Sequence, residues 1–316
     1  MRVATSDKIS FRQAFNAHHM THSPIRRSLL IALAAAPVVG VRAQPASSVA
    51  LNLAAHERFA QLEASSGGRL GVAAMRTSDG AYVSYRESER FPLCSTFKLM
   101  AVALILKRSM AEKGLLEERV RYGDADLVAN SPVTKGRAGE GMTIGELCAA
   151  ALQHSDNTAA NLLLTALGGP EVLNEFARSI GDTWFDLARG EPELNASVPG
   201  DMRDTTAPRA MMQDVQKLLL SDDVLETPQR EKLKAWMLGN TTGASRIRAA
   251  VRSTGWAVAD KTGSGDYGTA NDVAVVYGPS VAYALAIYFT GVTPKETPPQ
   301  DAIVDEAARI VFDVLR

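Results

Sequence analysis

The stretch that most constrains this chain is Ser95-Thr96-Phe97-Lys98, because it opens an apolar run at residues 99–106. The run lacks glycine and proline, so it predicts a buried helix that begins near Ser95. Positions three apart share a helix face, which places the Lys98 amine beside the Ser95 hydroxyl. Backbone N–H groups at a helix N-terminus are free and carry partial positive charge. A serine placed there, next to an amine, is suited to act as a nucleophile. The motif alone also fits an ordinary serine helix cap.

The first 43 residues predict an export signal rather than part of the fold. An arginine pair, Arg26 and Arg27, precedes an apolar run that is too short to span a membrane comfortably, and a small-x-small cleavage site ends at Ala43. The arginine pair is compatible with export by either the general secretory route or the twin-arginine route. Met20 is an alternative start, with residues 1–19 an extension ahead of it. Either route predicts an exported protein, most simply in a bacterial periplasm.

Removal of that leader changes the charge and the histidine content of the chain. Residues 1–43 carry six basic and one acidic side chain, and the whole chain has a formal net charge of −1, so residues 44–316 carry −6. A mildly acidic exported domain is a poor candidate for nucleic-acid binding. Only His56 and His154 follow the leader, which argues against a histidine-based zinc site. We therefore expect no nucleic-acid partner, no metal and no cofactor.

The periodicity of residues 44–316 predicts a single catalytic domain of the α/β (α+β) class. The segment from about 106 to 212 has mostly helical spacing. The other predicted elements are a helix at 51–64, strands at 69–76, 81–86, 256–263, 271–277 and 281–290, and a final helix at 301–315. Strands near both chain ends predict an antiparallel sheet of about five strands, flanked by helices, with an inserted all-helical lobe. We place the α/β lobe at about 50–90 and 240–316, and the helical lobe at about 91–239.

Three further motifs follow the Ser-x-x-Lys motif in order. They are Ser155-Asp156-Asn157 after a helical stretch, Glu191-Pro192-Glu193-Leu194-Asn195 in an irregular loop, and Lys261-Thr262-Gly263 at the end of a strand. Each motif alone fits an ordinary cap, loop or strand end. Together, in this order, they are typical of one family. The chain resembles the class A serine β-lactamases from about residue 50 to its end.

The resemblance implies a β-lactamase/transpeptidase-like fold and hydrolysis of the β-lactam amide bond of penicillin- and cephalosporin-type antibiotics through a serine acyl-enzyme, and hence antibiotic resistance. It implies Ser95 as the nucleophile and Lys98 as a neighbouring base or proton relay. Ser155 would pass a proton to the leaving nitrogen, and Glu191 would position the hydrolytic water. Whether Glu191 or Lys98 deprotonates the serine during acylation is left open.

The same resemblance implies the groups that hold the substrate. The backbone N–H groups of Ser95 and Ser264 would form the oxyanion hole. The other implied binding residues are Asn157, Asn195, Lys261, Thr262 and Gly263, together with Ser264. Carboxylate binding is assigned to Arg246, with Arg248 close to it, because Ala270 and Asp301 occupy the positions where other relatives carry that arginine. Asn130 replaces an aromatic residue that is often found at the rim of the family's site.

Two further features come from the resemblance. Arg189 and Asp204 match the ion pair that holds the ends of the omega loop in the family. Cysteines at the positions of Cys94 and Cys148 pair with other cysteines in some relatives. Gly265 and Val102 occupy those partner positions in this chain. We therefore expect two buried free thiols.

Two alternatives stay open at this point. A penicillin-binding DD-peptidase shares the serine chemistry but lacks the arrangement of Glu191 and Asn195. A non-enzymatic β-lactam sensor domain is acylated and stays acylated, and it normally lies beside membrane spans. We expect a monomer, as in the family, with small-molecule β-lactams as partners and no membrane span after the leader.

Overall fold

The computed structural model describes residues 46–316, so the predicted export segment and the alternative start lie outside the described residues. Within that part of the chain, no helix is long and apolar enough to cross a membrane. The helices are α1 (Ala46–Ser66), α2 (Phe97–Ser109), α3 (Ile144–Gln153), α4 (Asn157–Leu167), α5 (Pro170–Ser179), α6 (Pro208–Leu220), α7 (Thr227–Leu238), α8 (Ile247–Ala250) and α9 (Asp301–Leu315). The strands are β1 (Arg69–Arg76), β2 (Tyr82–Tyr85), β3 (Phe91–Pro92), β4 (Arg119–Val120), β5 (Met142–Thr143), β6 (Thr205–Thr206), β7 (Ala257–Ser264), β8 (Ala270–Tyr277) and β9 (Ala282–Thr290).

Five strands form one antiparallel sheet in the order β2-β1-β9-β8-β7. Its central strand is β9, where Leu285 pairs with Ala74 on one side and with Ala274 on the other. Two strands come from the N-terminal part of the described chain and three from its C-terminal part. The α/β class and the five-stranded antiparallel sheet built from both ends are therefore confirmed.

Both faces of this sheet are covered by helices. The helices α1 and α9 pack on one face, and α6 packs on the other. Consecutive side chains of β9 accordingly enter two different cores, with Phe289 beneath α1 and α9 and Tyr288 on the side of α2. Burial on both faces explains why the central strands are almost continuously apolar rather than alternating.

The helix α2 lies at the centre of the second core. Every residue from Phe97 to Leu106 is buried, and α2 packs against α3, α4, α5 and α7. A helix that is apolar all round is expected to be enclosed in this way. Ser95 itself lies in a 3₁₀ turn, Cys94–Thr96, that runs directly into α2. We call this turn the nucleophile turn; the predicted helix begins two residues after the serine.

The predicted strands agree with the observed strands of the main sheet to within one residue at each end. The segment from 106 to 212 is less helical than predicted. Between α2 and α3 the chain forms turns and the short strands β4 and β5. Gly114, Gly139 and Gly141 adopt positive φ in this stretch, a conformation that ends a helix and that glycine adopts without strain.

Candidate active site

The four motifs meet at one cleft. It lies between the nucleophile turn, the loop that joins α3 to α4, the irregular segment at 189–204, which we call the Ω loop, and the end of β7. The cleft has a volume of about 360 Å³ and is lined by Ser95, Asn130, Ser155, Asn157, Asn195, Thr242, Arg246, Thr262 and Ser264. Lys98, Glu191 and Lys261 are buried behind these lining residues. Thr242 was not indicated by any motif; its hydroxyl lies 2.5 Å from that of Thr262.

Glu191 is the carboxylate on which the other groups converge. The Ser95 hydroxyl donates to Glu191 Oε1 over 2.8 Å, and Lys98 Nζ lies 2.9 Å from the same oxygen. Asn195 Nδ2 donates to Glu191 Oε2 over 2.5 Å. Glu191 is only 2% exposed, so these contacts replace the water that a free carboxylate would bind. The proton of the serine is therefore directed at a carboxylate whose two oxygens are both held.

Asn161 fixes the backbone of Glu191 and was missed by the sequence analysis. Its Nδ2 donates to the Glu191 carbonyl over 2.8 Å, and its Oδ1 accepts the Glu191 N–H over 2.9 Å. Asn161 lies on α4 one helical turn after Asn157, so the two side chains share a face. The sequence did contain a signal for this residue, because Asn161 is a second amide side chain one helical turn after the Ser-Asp-Asn motif.

The Lys98 amine is enclosed by acceptors. It donates to Asn157 Oδ1 over 2.7 Å and to the Ser155 carbonyl oxygen over 2.8 Å, in addition to its contact with Glu191. Burial lowers the pKa of Lys98, and the negative charge of Glu191 opposes that shift. Three acceptors match the three N–H groups of an ammonium ion. In this geometry Lys98 is a hydrogen-bond donor that ties the nucleophile helix to the Ser-Asp-Asn motif.

The Ser155 hydroxyl lies between two buried amines. Its Oγ is 3.2 Å from Lys261 Nζ and 3.4 Å from Lys98 Nζ. Burial and the positive charge of Lys98 lower the pKa of Lys261 to about 7. The backbone of Ser155 has φ +54°, and the next residue, Asp156, holds it by accepting the Thr134 N–H and hydroxyl. A hydroxyl so placed can exchange a proton with either amine.

The end of β7 packs closely against the nucleophile turn. A Cβ added at Gly263 would lie 3.0 Å from the Leu93 carbonyl oxygen, so this close approach favours glycine. The Asn271 side chain, from the neighbouring strand β8, donates to the Pro92 carbonyl over 2.8 Å. These contacts bring Ser264 to the cleft beside the turn that carries the serine.

Of the two arginines near the cleft, Arg246 lines it. Its guanidinium donates to Ser264 Oγ over 2.6 Å and to Asp301 Oδ1 over 2.8 Å. Arg248 instead donates to Asp260 Oδ1 over 2.7 Å. The geometry therefore favours Arg246 over Arg248 for carboxylate binding. The carboxylate of Asp301 orients Arg246 through this contact.

The two ends of the Ω loop are joined by the expected ion pair. Arg189 Nε lies 2.5 Å from Asp204 Oδ2, and Asp204 Oδ1 accepts the N–H groups of Ala188 and Arg189 over 2.7 and 2.9 Å. Asp204 is only 1% exposed. The loop has little regular structure beyond a 3₁₀ turn, Glu193–Ala196, so these few bonds hold the position of Glu191.

Both cysteines are free and buried, as expected from the resemblance. Burial raises the pKa of the Cys94 thiol to about 12 and also raises the pKa of Cys148. A buried thiol that stays protonated is a poor nucleophile. A Cβ added at Gly265 would lie 2.8 Å from Cys94 Sγ, so this position is adjacent to the Cys94 thiol.

Comparisons with known proteins agree with this geometry. A model of the β-lactamase enzyme family matches residues 54–315. The chain is 48% identical to the carbapenem-hydrolyzing β-lactamase KPC of Klebsiella oxytoca, over 92% of this chain and 97% of that protein. It is 46% identical to the β-lactamase CTX-M-25 of Escherichia coli, over 93% and 99% of the two chains. The crystal structure of a β-lactamase from Burkholderia phymatum is 82% identical, with a TM-score of 0.84 over 84% of this chain and all of that one.

The fold and the cleft together define a serine hydrolase with a buried lysine and a buried glutamate at its nucleophile. The chain belongs to the β-lactamase enzyme family. The predicted membership of the class A serine β-lactamases and the predicted β-lactamase-like fold are confirmed.

Removal of the Asp204 carboxylate tests how the Ω loop is held. In Asp204→Ala, two backbone N–H groups lose their acceptor and Arg189 loses its partner, so we expect a loss of roughly 1–3 kcal/mol in the free energy of unfolding. Hydrogen exchange at the amides of residues 188 and 189 should become faster. Glu193→Ala, an exposed change in the same loop, is the matched control and should alter neither quantity. Unchanged exchange in Asp204→Ala would show that other contacts hold the loop.

Proposed function

We propose that this chain hydrolyses the β-lactam amide bond of penicillin- and cephalosporin-type antibiotics through an acyl-enzyme on Ser95, and so confers resistance. One catalytic domain, residues 44–316, would carry the reaction. The observation that carries the proposal is the shared carboxylate of Glu191, which contacts the Ser95 hydroxyl, the Lys98 amine and the Asn195 amide. Such a group serves both halves of a two-step hydrolysis.

In the acylation step, Ser95 Oγ attacks the β-lactam carbonyl carbon. Its proton passes to Glu191, the acceptor of its hydrogen bond, while Lys98 stays beside that carboxylate. The backbone N–H groups of Ser95 and Ser264 stabilise the oxyanion. When the C–N bond breaks, Ser155 gives its proton to the leaving nitrogen and regains one from a neighbouring amine, Lys98 or Lys261. Lys98 takes up the proton held by Glu191 across their 2.9 Å contact, directly or to replace the one that Lys261 supplied through Ser155, so the carboxylate is ionised again for the second step.

The deacylation step needs a positioned base, because water is a poor nucleophile. Glu191, with Asn195 beside it, takes a proton from water, and the resulting hydroxide attacks the ester. Ser95 then leaves with the proton that Glu191 returns to it. General-base assistance contributes about 10²–10⁴-fold. This second step supports a hydrolase over a DD-peptidase, which lacks this pair of residues, and over a β-lactam sensor, which stays acylated.

Substrate binding is assigned to the opposite wall of the cleft. Lys261, Thr262 and Arg246 would bind the substrate carboxylate, with Gly263 and Ser264 forming the adjacent strand edge. Asn157 would contact the amide of the substrate's side chain. Carbapenems belong in any substrate panel, because one relative that is 48% identical is named for their hydrolysis.

We also propose that the protein is exported to the periplasm and acts there as a monomer. Residues 1–43 would be removed, by the general secretory or the twin-arginine route. The intact mass of protein from a periplasmic extract should correspond to a chain that begins at Gln44, and light scattering should give a single-chain mass. A full-length mass, or a dimer mass, would contradict the respective proposal.

The role of Glu191 can be tested by removing its carboxylate. Glu191→Ala should still be acylated, because Lys98 without its carboxylate partner can accept the Ser95 proton, but its deacylation should slow by about 10²–10⁴-fold, so the covalent adduct accumulates. Intact-protein mass spectrometry after brief mixing with a slowly hydrolysed penicillin or cephalosporin measures the adduct. Ser95→Ala is the control and should show none. Hydrolysis by Glu191→Ala at the wild-type rate would mean that another group is the deacylating base.

The pKa of Lys261 predicts a pH dependence. The amine is charged below about pH 7 and neutral above it, so the affinity for an anionic substrate should fall as the pH rises through that value. The kcat/KM of the wild type should therefore decline on the alkaline side, since this quantity reports groups of the free enzyme. Lys261→Arg keeps its charge throughout and should have a lower but flatter profile. Identical alkaline limbs in both proteins would assign the titration to another group.

A further inference from the structure

A second pair of acidic side chains lies where the two ends of the Ω loop run side by side. Asp182 precedes the segment that leads into the loop, and Asp214 lies on α6, which follows the loop. Between this pair and the loop, Asp186 and Thr205 form an antiparallel backbone bridge with two N–H···O bonds of 3.0 Å. We call the paired segments 182–189 and 204–214 the loop neck.

The carboxyl groups of this pair are buried and incompletely hydrogen bonded. Asp182 Oδ1 accepts the N–H groups of Trp184 and Phe185 over 2.6 and 3.1 Å. Asp182 Oδ2 and both oxygens of Asp214 have no hydrogen-bond donor among the described residues. Asp182 is 3% exposed, Asp214 is fully buried, and the two side chains lie within hydrogen-bonding reach of each other. Two ionised carboxylates cannot donate to one another, so three bare oxygens would be strongly unfavourable.

The neighbouring charged groups do not neutralise the pair. Both aspartates line a cavity of about 140 Å³, and Lys217, Arg209 and Glu87 also line it. Lys217 donates to the Ile180 carbonyl, and Arg209 lies 3.3 Å from Glu87. Tyr288 faces the pair from β9, and burial raises the pKa of its hydroxyl, so it remains neutral. Within the described part of the chain, neither side chain of the pair therefore forms a salt bridge.

We propose that Asp182 and Asp214 share one proton and thereby act as a second clamp on the loop neck, which positions Glu191. With one proton between them, one carboxyl group donates to the other, and a single negative charge remains. The clamp joins α6 to the segment before the Ω loop, on the side of the backbone bridge opposite the Arg189–Asp204 ion pair. Its effect on turnover rests on the proposed role of Glu191, whereas the existence of the shared proton does not.

A shared proton makes stability depend on pH in a defined direction. Burial, followed by the negative charge of Asp182, raises the pKa of Asp214 well above its ordinary value, and the positive charge of Lys217 opposes the shift. The unfolded chain releases this proton near pH 4, whereas the folded protein keeps it. Stability therefore falls as the pH rises from the unfolded to the folded pKa, by about tenfold in the folding equilibrium per pH unit. Above the folded pKa, two negative charges face each other and the neck loosens.

Asparagine variants test the shared proton, because an amide donates a hydrogen bond at every pH. The infrared spectrum of the wild type at pH 7 should contain a band from a protonated carboxyl group that is lost in Asp214→Asn. The decline of the wild-type Tm with rising pH should become flatter in both Asp214→Asn and Asp182→Asn. Asp223→Asn is the matched control, since it makes the same charge change at an exposed site and should keep both the band and the decline.

The clamp is tested separately through the acyl-enzyme. The deacylation rate constant of the wild type should fall several-fold as the pH rises through the range in which its Tm declines, whereas Asp214→Asn should retain its rate. Absence of the protonated-carboxyl band, with equal Tm profiles, would overturn the shared proton; equal deacylation profiles would overturn the clamp. If Glu191→Ala deacylates like the wild type, the proposed role of Glu191 fails instead. The infrared and Tm results then still decide whether Asp182 and Asp214 share a proton.

Discussion

The contact on which the rest of the structure depends is the one between Glu191 and the two groups that share its Oε1, the Ser95 hydroxyl and the Lys98 amine. A charged pair that is completely buried gains its stability only when geometry and additional hydrogen bonds offset the loss of water. Asn195 and Asn161 hold the glutamate, and Asn157 holds the lysine. The cleft is therefore a connected polar network centred on one carboxylate.

The surrounding fold supplies the rigidity that such a network requires. The lysine stands on α2, a helix enclosed on all sides by other helices, so its backbone has no freedom to relax. The glutamate stands on an irregular loop, which has no ladder of backbone bonds of its own. Its position depends on the loop neck, where Asp204 binds two amides and one guanidinium, and on Asn161 from α4. A rigid helix and a clamped loop thus meet at one oxygen atom.

Prediction from the sequence succeeded where the signal was local. The strands of the main sheet, the final helix and the buried helix α2 follow from runs of apolar residues, and they were located to within one or two residues. It failed between α2 and α3, where glycines with positive φ replace the expected helix by turns. It also missed Asn161 and Thr242, because each contacts the site only through folding.

The amino-acid sequence by itself determined the elements, the order of the four motifs and the family they resemble, because residue spacing within a helix or strand sets which side chains share a face. The tertiary structure alone decided which distant groups touch. The Ser95–Glu191 hydrogen bond spans 96 positions, and that between Lys261 and Ser155 spans 106. The close contact between Asp182 and Asp214 likewise arises only when the two ends of the Ω loop are brought together. Contacts of this kind depend on how two cores pack around one sheet, and no periodicity along the chain encodes them.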